Sequence, residues 1–321
     1  MLPKENAHIA DNGKGDTATV NSIFEQPWWL DAVAPGKWGE VTVSRGGEVI
    51  ARMPYTMGRR CGLPAIVMPP FTQALGPWLR PTSAKYANQL GEQKQLLVEL
   101  IEQLPEVDSF YHHLTPNLTN WLPFHWAGFK QTTRYTYRLS DLTDQDKIWS
   151  GLRENIRREV RKAQRNAAVR DDLGLEWFLD INRRTFIRQG MELPYDVGLL
   201  ERVDEACSMR GARKMLFAED ALGRVHAAVY IVWDHDCAYY ILGGSDEELR
   251  SSGAGSLVMW EAIKFASTVA RSFDFKGSMK ESIERFNRAF GAEQVPFHQI
   301  MKSSLRMRVL ESVASIVRGR F

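Results

Sequence analysis

Polar and apolar residues alternate through GEVTVSRGGEVIARMPYTM (39–57), and the alternation pauses only at Gly46-Gly47. Period-two patterning on both sides of a glycine pair predicts a β-hairpin. Just upstream, IFEQPWWLDAV (23–33) predicts a short helix, with Pro27 near its start, where a missing N–H is harmless. After a loop marked by Pro69, Pro70 and Pro81, the residues Leu90, Leu97, Leu100 and Ile101 fall at helical spacing and predict a helix over 84–103. Short elements follow at DSFYHHL and FKQTTRYTYRL, and the RYTYRL end alternates as a strand should.

From there the pattern changes. Trp149, Leu152, Ile156, Val160, Ala163 and Ala167 recur at spacings of three and four, which predicts one long amphipathic helix over 143–167. Further helices are expected over 173–189 and 195–210, then three strands, RKMLFAE, HAAVYIVWD and CAYYILGG. The middle strand is apolar on both faces, as suits a strand covered on both sides. A small-residue knot in LRSSGAGSLVMWEAIKFA (249–266) leads into a helix over 254–270. The strand SFDFKG, a helix over 280–289, the strand PFHQIM and an amphipathic helix over 303–318 complete an α+β order.

Composition narrows the classes. The 321 residues suit two domains, and 41 basic against 39 acidic side chains leave a net charge of +2, so any polyanion partner needs a local patch. Cys61, Cys207 and Cys237 lie far apart and the seven histidines are scattered, which argues against a disulfide framework and against a metal site. The polar stretch 1–21 offers little to bury and is expected to be loosely ordered. It lacks the apolar core of a secretory signal, and no run is long enough for a membrane span; a cytoplasmic protein is the expectation.

The knot carries the first candidate chemistry. Arg250-Ser251-Ser252-Gly253-Ala254-Gly255 has the spacing R-x-x-G-x-G and runs into helix at Ser256. Unpaired N–H groups of a first helical turn, an absent Cβ and a nearby guanidinium together suit a diphosphate. The same residues also make an ordinary strand-to-helix turn; the strands before it and FDFKGS after it favour the cradle.

R-x-x-G-x-G between strand and helix resembles the acyl-CoA pyrophosphate loop of the Gcn5-related N-acetyltransferase (GNAT) superfamily. The wider stretches AYYILGGSDEELRSSGAGSLVMWEAIKFA, FDFKGSMKESIERFNRAFGA, IFEQPWWLDAVAPGKWGEV and NWLPFHWAGFKQTTRYTYRL resemble its FemAB-like branch, which includes peptidoglycan aminoacyltransferases. The resemblance runs from 22 to 300. It implies two GNAT-like domains, each a mixed, mostly antiparallel sheet flanked by helices, over 22–132 and 133–302. The donor loop survives only in the second, and the 303–321 helix packs back on the first. It also implies acetyl-CoA or another acyl-CoA as donor and no metal. The acceptor would be an amine on a cell-envelope, polysaccharide or peptide precursor or a related metabolite. Aminoacyl-tRNA as donor, or a GNAT-fold binding protein without turnover, are the alternatives.

Acyl transfer to an amine needs an oxyanion donor, a route for the amine proton and an acid for the leaving group. The resemblance assigns backbone N–H groups from Ile241 to Gly243 to the carbonyl. Alternation in FDFKGS puts Asp274 and Lys276 on one face, where Asp274 would orient or deprotonate an amine and Lys276 would hold a phosphate or carboxylate; a local ion pair is the plainer alternative. Many GNAT enzymes use a downstream tyrosine as the acid, yet no tyrosine follows Tyr240. Tyr239, Tyr240 and Ser278 are the substitutes at hand. Last, Arg153, Arg157, Arg161 and Arg165 repeat at i+4 in the expected long helix, with Arg158, Lys162 and Arg170 alongside. That stripe reads as a solvated face, as a ligand for an anionic acceptor through Arg157 and Arg158, or as an RNA contact.

Overall fold

The computed structural model describes residues 20–188, 190–277 and 279–318, so the tail expected over 1–21 lies outside it up to residue 19, as does Ser278. The first half of the chain runs α1 (Pro27–Val33), β1 (Trp38–Arg45), β2 (Glu48–Arg60), β3 (Leu63–Val67), β4 (Trp78–Leu79), α2 (Tyr86–Gln103), β5 (Ser109–His113), α3 (Leu122–Trp126) and β6 (Lys130–Leu139). The second half runs α4 (Gln145–Gly151), α5 (Glu154–Ala163), β7 (Ala167–Arg170), α6 (Leu175–Arg188), α7 (Val197–Ser208), β8 (Arg213–Asp220), β9 (Val225–Trp233) and β10 (Cys237–Ser245). It closes with α8 (Ala254–Ala266), β11 (Ser272–Asp274), α9 (Glu281–Arg288), β12 (Glu293–Ser303) and α10 (Leu305–Arg318).

One 12-stranded sheet runs through the molecule in the order β1-β2-β3-β5-β12-β6-β11-β10-β9-β8-β7, with β4 on β2. Its pairs are antiparallel except β3 with β5 and β10 with β11. The two halves share an order, three strands then helix, strand, helix, strand, and each gives its last strand to the other. β6 pairs with β11 of the second half, β12 pairs with β5 of the first, and the two exchanged strands pair with each other at the centre. The boundary drawn at 132/133 thus falls inside β6. Mixing continues at the other end of the chain: Phe24, Trp29 and Leu30 share a core with Leu199, Leu200 and Tyr230 of the second half. Ile300 of β12 lies in the first-half core with Leu97, Phe110 and Phe124.

Three expectations need correction. The helix over 143–167 is two helices and a strand. Gly151 ends α4, Leu152 and Arg153 turn extended (ψ 140° and 146°), and the Arg153 N–H goes to Ala289 O at 2.9 Å. The apolar spacing hid the break because Ile148, Leu152, Ile156 and Val160 all face the same core. The expected strand over 272–277 stops at Asp274, since Lys276 sits at φ +48°. The 303–321 helix, over its described part, does contact the first half, through Met307, a Ser304–Asp108 hydrogen bond of 2.7 Å and an Arg60–Glu311 ion pair of 2.8 Å, but its outer apolar face is uncovered among the described residues.

Among the described residues, no helix is long and apolar enough to cross a membrane and no group of three or more His, Cys, Asp or Glu is placed to hold a metal. All three cysteines are free.

Strand exchange makes a stability prediction. Ile300→Ala empties a fully buried position in the first-half core from a strand supplied by the second. A loss of about 2–5 kcal/mol is expected. Urea unfolding followed by tryptophan fluorescence and by far-UV circular dichroism should give one coincident transition, because neither half keeps its sheet without the other's strand.

Candidate active site

β10 and β11 run side by side for three residues, Cys237 to Tyr239 against Ser272 to Asp274, and then part. Two features bend the arms away from each other. A bulge at Ile241, between Tyr240 and Leu242, turns β10. Beyond it Gly244 lies so close to α6 that a Cβ there would sit 2.7 Å from Ile181 O. On the other arm, Phe275 N–H donates to Tyr137 O (2.9 Å) and Gly277 N–H to Thr136 Oγ1 (2.9 Å), so the chain leans on β6. A Cβ on Gly277 would meet Tyr135 O at 2.1 Å, which explains the glycine by close approach and not by φ. From Tyr240 onward the edge of β10 that faces β11 therefore has no strand partner, and its peptide groups, including Ile241 and Gly243, edge an open fork.

Asp274 stands at the branch point. Its buried carboxylate accepts from Arg138 Nη2 (3.0 Å) and Nε (3.3 Å), Thr136 Oγ1, Gln73 Nε2 (3.4 Å) and the Lys276 N–H (2.8 Å). Every one of these donors belongs to the protein. The geometry makes Asp274 the anchor of the fork, not a base with a free oxygen aimed at an amine. Gln73 is delivered by the 68–77 loop, which two histidines hold: the half-buried His113 donates to Gln73 O (3.0 Å) and the buried His112 to Leu75 O. Burial pushes both imidazoles down to about 4, so they act as neutral donors.

Two side chains reach the fork from opposite faces of the sheet. Tyr240 packs on the α8 side, its hydroxyl 2.1 Å from where a Gly243 Cβ would be. Desolvation pushes its phenol up to about 12, which keeps it protonated. Lys276 lies on the other face, half-buried, its ammonium 5.8 Å from the Phe24 ring centre and donating to Phe71 O at 2.7 Å. Burial pushes it down to about 8, against the pull of Asp274. On that same face Phe71 (φ +58°) stacks edge-on with Tyr195 at 5.1 Å, Tyr195 donates to Asn182 Oδ1, and Asn182 Nδ2 donates to Gly243 O at 2.7 Å. This string ties the two arms together across the fork. Sequence reasoning missed Phe71, Gln73, Asn182, Tyr195 and Gly277; the first four are far from the knot in the chain, and only the glycine was visible as a breaker in FDFKGS.

The knot follows β10 as a 3-10 turn, Arg250–Ser252, then Gly253 at φ +83° as N-cap of α8. Its two glycines do different things. A Cβ on Gly253 would meet Glu159 O of α5 at 2.4 Å and the Glu159 carboxylate at 2.7 Å, whereas one on Gly255 would meet nothing within 4 Å. An anion reaching this helix start must come from the Gly255 side, where the Gly255 N–H has no acceptor among the described residues and the Glu159 charge is behind the turn. Ala254 and Ser256 are buried and Ser252 Oγ accepts from Ala254 N–H (3.3 Å), so they shape the turn. Arg250 is exposed, and Ser251 O accepts from Lys162 Nζ.

The basic stripe dissolves with the long helix. Arg153 and Arg165 lie outside α5, and Arg170 is in β7, paired with Asp172 and Glu219. Arg157 clasps the α4–α5 joint, donating to Glu154 (2.7 Å) and Ser150 O (2.8 Å), and Arg161 covers the Trp149 ring at 5.5 Å. Arg158 is exposed and Lys162 is held at the knot by Ser251 O, whereas Arg157 is taken up at the helix joint.

The contrast between the glycines is testable by melting. Gly253→Ala forces both a strained φ and a clash with α5 backbone, and should cost about 1–3 kcal/mol. Gly255→Ala, inside a helix with open space around it, should raise stability by about 0.5–1 kcal/mol.

The fork and knot lie within the stretch that matches a known family: residues 150–282 fit the Acetyltransferase (GNAT) domain. No curated protein matches the sequence. Among solved structures, FemX is similar at a TM-score of 0.64 and 15% identity, over 86% of this chain and 91% of that one. A tandem GNAT protein from the clavulanic acid biosynthesis pathway is similar at 0.50 and 10% identity, over 84% of each chain. L-PGS from Bacillus licheniformis is similar at 0.50 and 11% identity, over 91% of each. At such identities these structures speak to the fold alone, and it is the same fold over most of the chain. Residues 150–282 thus match a GNAT acetyltransferase domain, in a chain whose fold over most of its length is similar to that of FemX and of the tandem GNAT protein.

Proposed function

We propose that the protein transfers an acyl group from acyl-CoA to an amine, with the donor along the unpaired edge of β10 and the acceptor entering from the Lys276 face. The observation that carries this reading is the fork itself. It offers peptide groups at Ile241 and Gly243 on an edge of β10 that has no strand partner, next to an open helix start at Gly255. One protonated phenol and one ammonium stand on opposite faces. A thioester carbonyl lying along β10 would accept from backbone N–H groups there, an environment that strengthens as charge builds on oxygen. Its diphosphate would meet the start of α8 from the Gly255 side, with Arg250 and Arg158 as exposed cations within that surface.

As the amide C–N bond forms and the thioester C–S bond breaks, the amine gives up its proton to solvent and the leaving thiolate takes one from an acid on the protein, which solvent then re-protonates. Tyr240, on the α8 face with its hydroxyl over Gly243, would protonate the sulfur. Of the other two candidates, Tyr239 is buried with its hydroxyl donating to Asp234 Oδ2 (3.4 Å), and Ser278 lies outside the described residues. Lys276, on the opposite face, would hold a carboxylate or phosphate of the acceptor and so direct the amine through the fork toward the carbonyl. An envelope, glycan or peptide precursor bears both groups.

A second reading, aminoacyl transfer from tRNA, draws on the likeness to FemX and to L-PGS and on the exposed cations Arg158 and Arg250. Isothermal titration separates the two. Acetyl-CoA should bind and release heat, and Gly255→Trp should abolish it while leaving the melting point near that of wild type. If acetyl-CoA gives no heat but tRNA binds with a steep salt dependence that Arg158→Ala relaxes, the tRNA reading replaces the first.

Lys276 predicts a pH signature. It carries its proton below about pH 8 and loses it above. The acceptor KM should therefore rise as pH passes about 8 with little change in kcat. Lys276→Arg should shift that rise to higher pH, and Lys276→Met should show a high KM throughout. A flat KM profile for wild type would remove Lys276 from acceptor binding.

A further inference from the structure

The outer face of α10 is an apolar stripe with nothing over it among the described residues. The helix is well seated: Ser304 Oγ accepts from Met307 N–H (3.2 Å), Met307 is fully buried, and Glu311 pairs with Arg60. At 3.6 residues per turn, Met307, Glu311 and Ala314 lie toward the protein. Leu305, Val309 and Val313 then fall on the opposite side, and they are 69%, 54% and 53% exposed, with Leu310 beside them at 40%. Arg306 and Arg308 occupy the two margins of this stripe, and both are exposed. The helix holds one acidic residue, Glu311, on the docked side and neutralised by Arg60, while the exposed Arg59 at the β2–β3 turn adds positive charge nearby.

Single exposed apolar residues need no explanation, but three in register along one helix face, bordered by arginines and with Leu310 just beyond one of them, do. We propose that α10 lies flat on an anionic phospholipid surface, with Leu305, Val309 and Val313 below the headgroups and Arg306 and Arg308 reaching up to the phosphates on either side. The arrangement is that of an interfacial helix: an apolar strip for the acyl boundary, and long cationic side chains at its edges whose charge meets the anionic headgroups. A second copy of the chain is a poorer cover. Both margins are basic, so pairing two such stripes sets arginine against arginine. Because α10 continues directly from β12, this docking would hold the central sheet at the bilayer surface without a spanning segment. The inference stands apart from the acyl-transfer reading.

The test is co-sedimentation of the full chain with phosphatidylcholine vesicles made with and without phosphatidylglycerol. The protein should pellet with the phosphatidylglycerol vesicles, less so as salt rises. Val309→Asp with Val313→Asp should weaken binding on the order of tenfold or more, and Arg306→Glu with Arg308→Glu similarly. All four positions are exposed, so melting curves of both variants should match wild type, and this separates lost docking from lost folding. Failure to pellet with phosphatidylglycerol vesicles overturns the proposal, as does equal binding to both vesicle types. A dimer seen by light scattering that the aspartate variant dissolves, with no vesicle binding, would assign the stripe to a second copy instead.

Discussion

The carboxylate of Asp274 is the interaction on which the site depends. A buried charge is tolerable only when its acceptor capacity is filled, and here it is filled from four directions: Arg138 and Thr136 on β6, Gln73 from the first-half loop, and the backbone of Lys276. Those bonds decide where β11 ends. By taking the Lys276 N–H, the carboxylate turns the chain out of the strand at φ +48° and sends it along β6, so β10 is left without a neighbour. The fork follows from satisfying one charge.

Strand exchange gives that arrangement its rigidity. β6, which carries Arg138 and Thr136, is first-half chain serving the second half's sheet, and β12 does the reverse. The loop that brings Gln73 and Phe71 is held by histidines of β5, which pairs with β12. Both arms of the fork and the string across it therefore draw on both halves. The first half contributes to the fork as a wall, through β6 and the loop that brings Phe71 and Gln73.

Much of this was legible in the chain. Period-two alternation located the hairpin, apolar runs located the strands 213–219, 226–234 and 237–244 to within a residue or two, and the small-residue knot located the start of α8. The errors have particular causes. The 143–167 pattern read as one helix because two helices separated by an extended Leu152-Arg153 pair pack on the same core. Asp274 looked catalytic because alternation reports which face a residue takes, not how many donors wait there. Gly253 and Gly255 looked equivalent because spacing does not reveal that one abuts Glu159 and the other abuts nothing.

The sequence by itself determined the elements, their order and the small-residue turn, since these rest on local periodicity and on backbone freedom within a few residues. Only the tertiary structure decided which strands exchange, where the sheet forks, and which side chains meet there. Gln73 and Asp274 are 201 positions apart, and Phe71 and Lys276 are 205. Contacts over such separations are chosen by packing and by the need to satisfy a buried charge, and neither leaves a period in the chain.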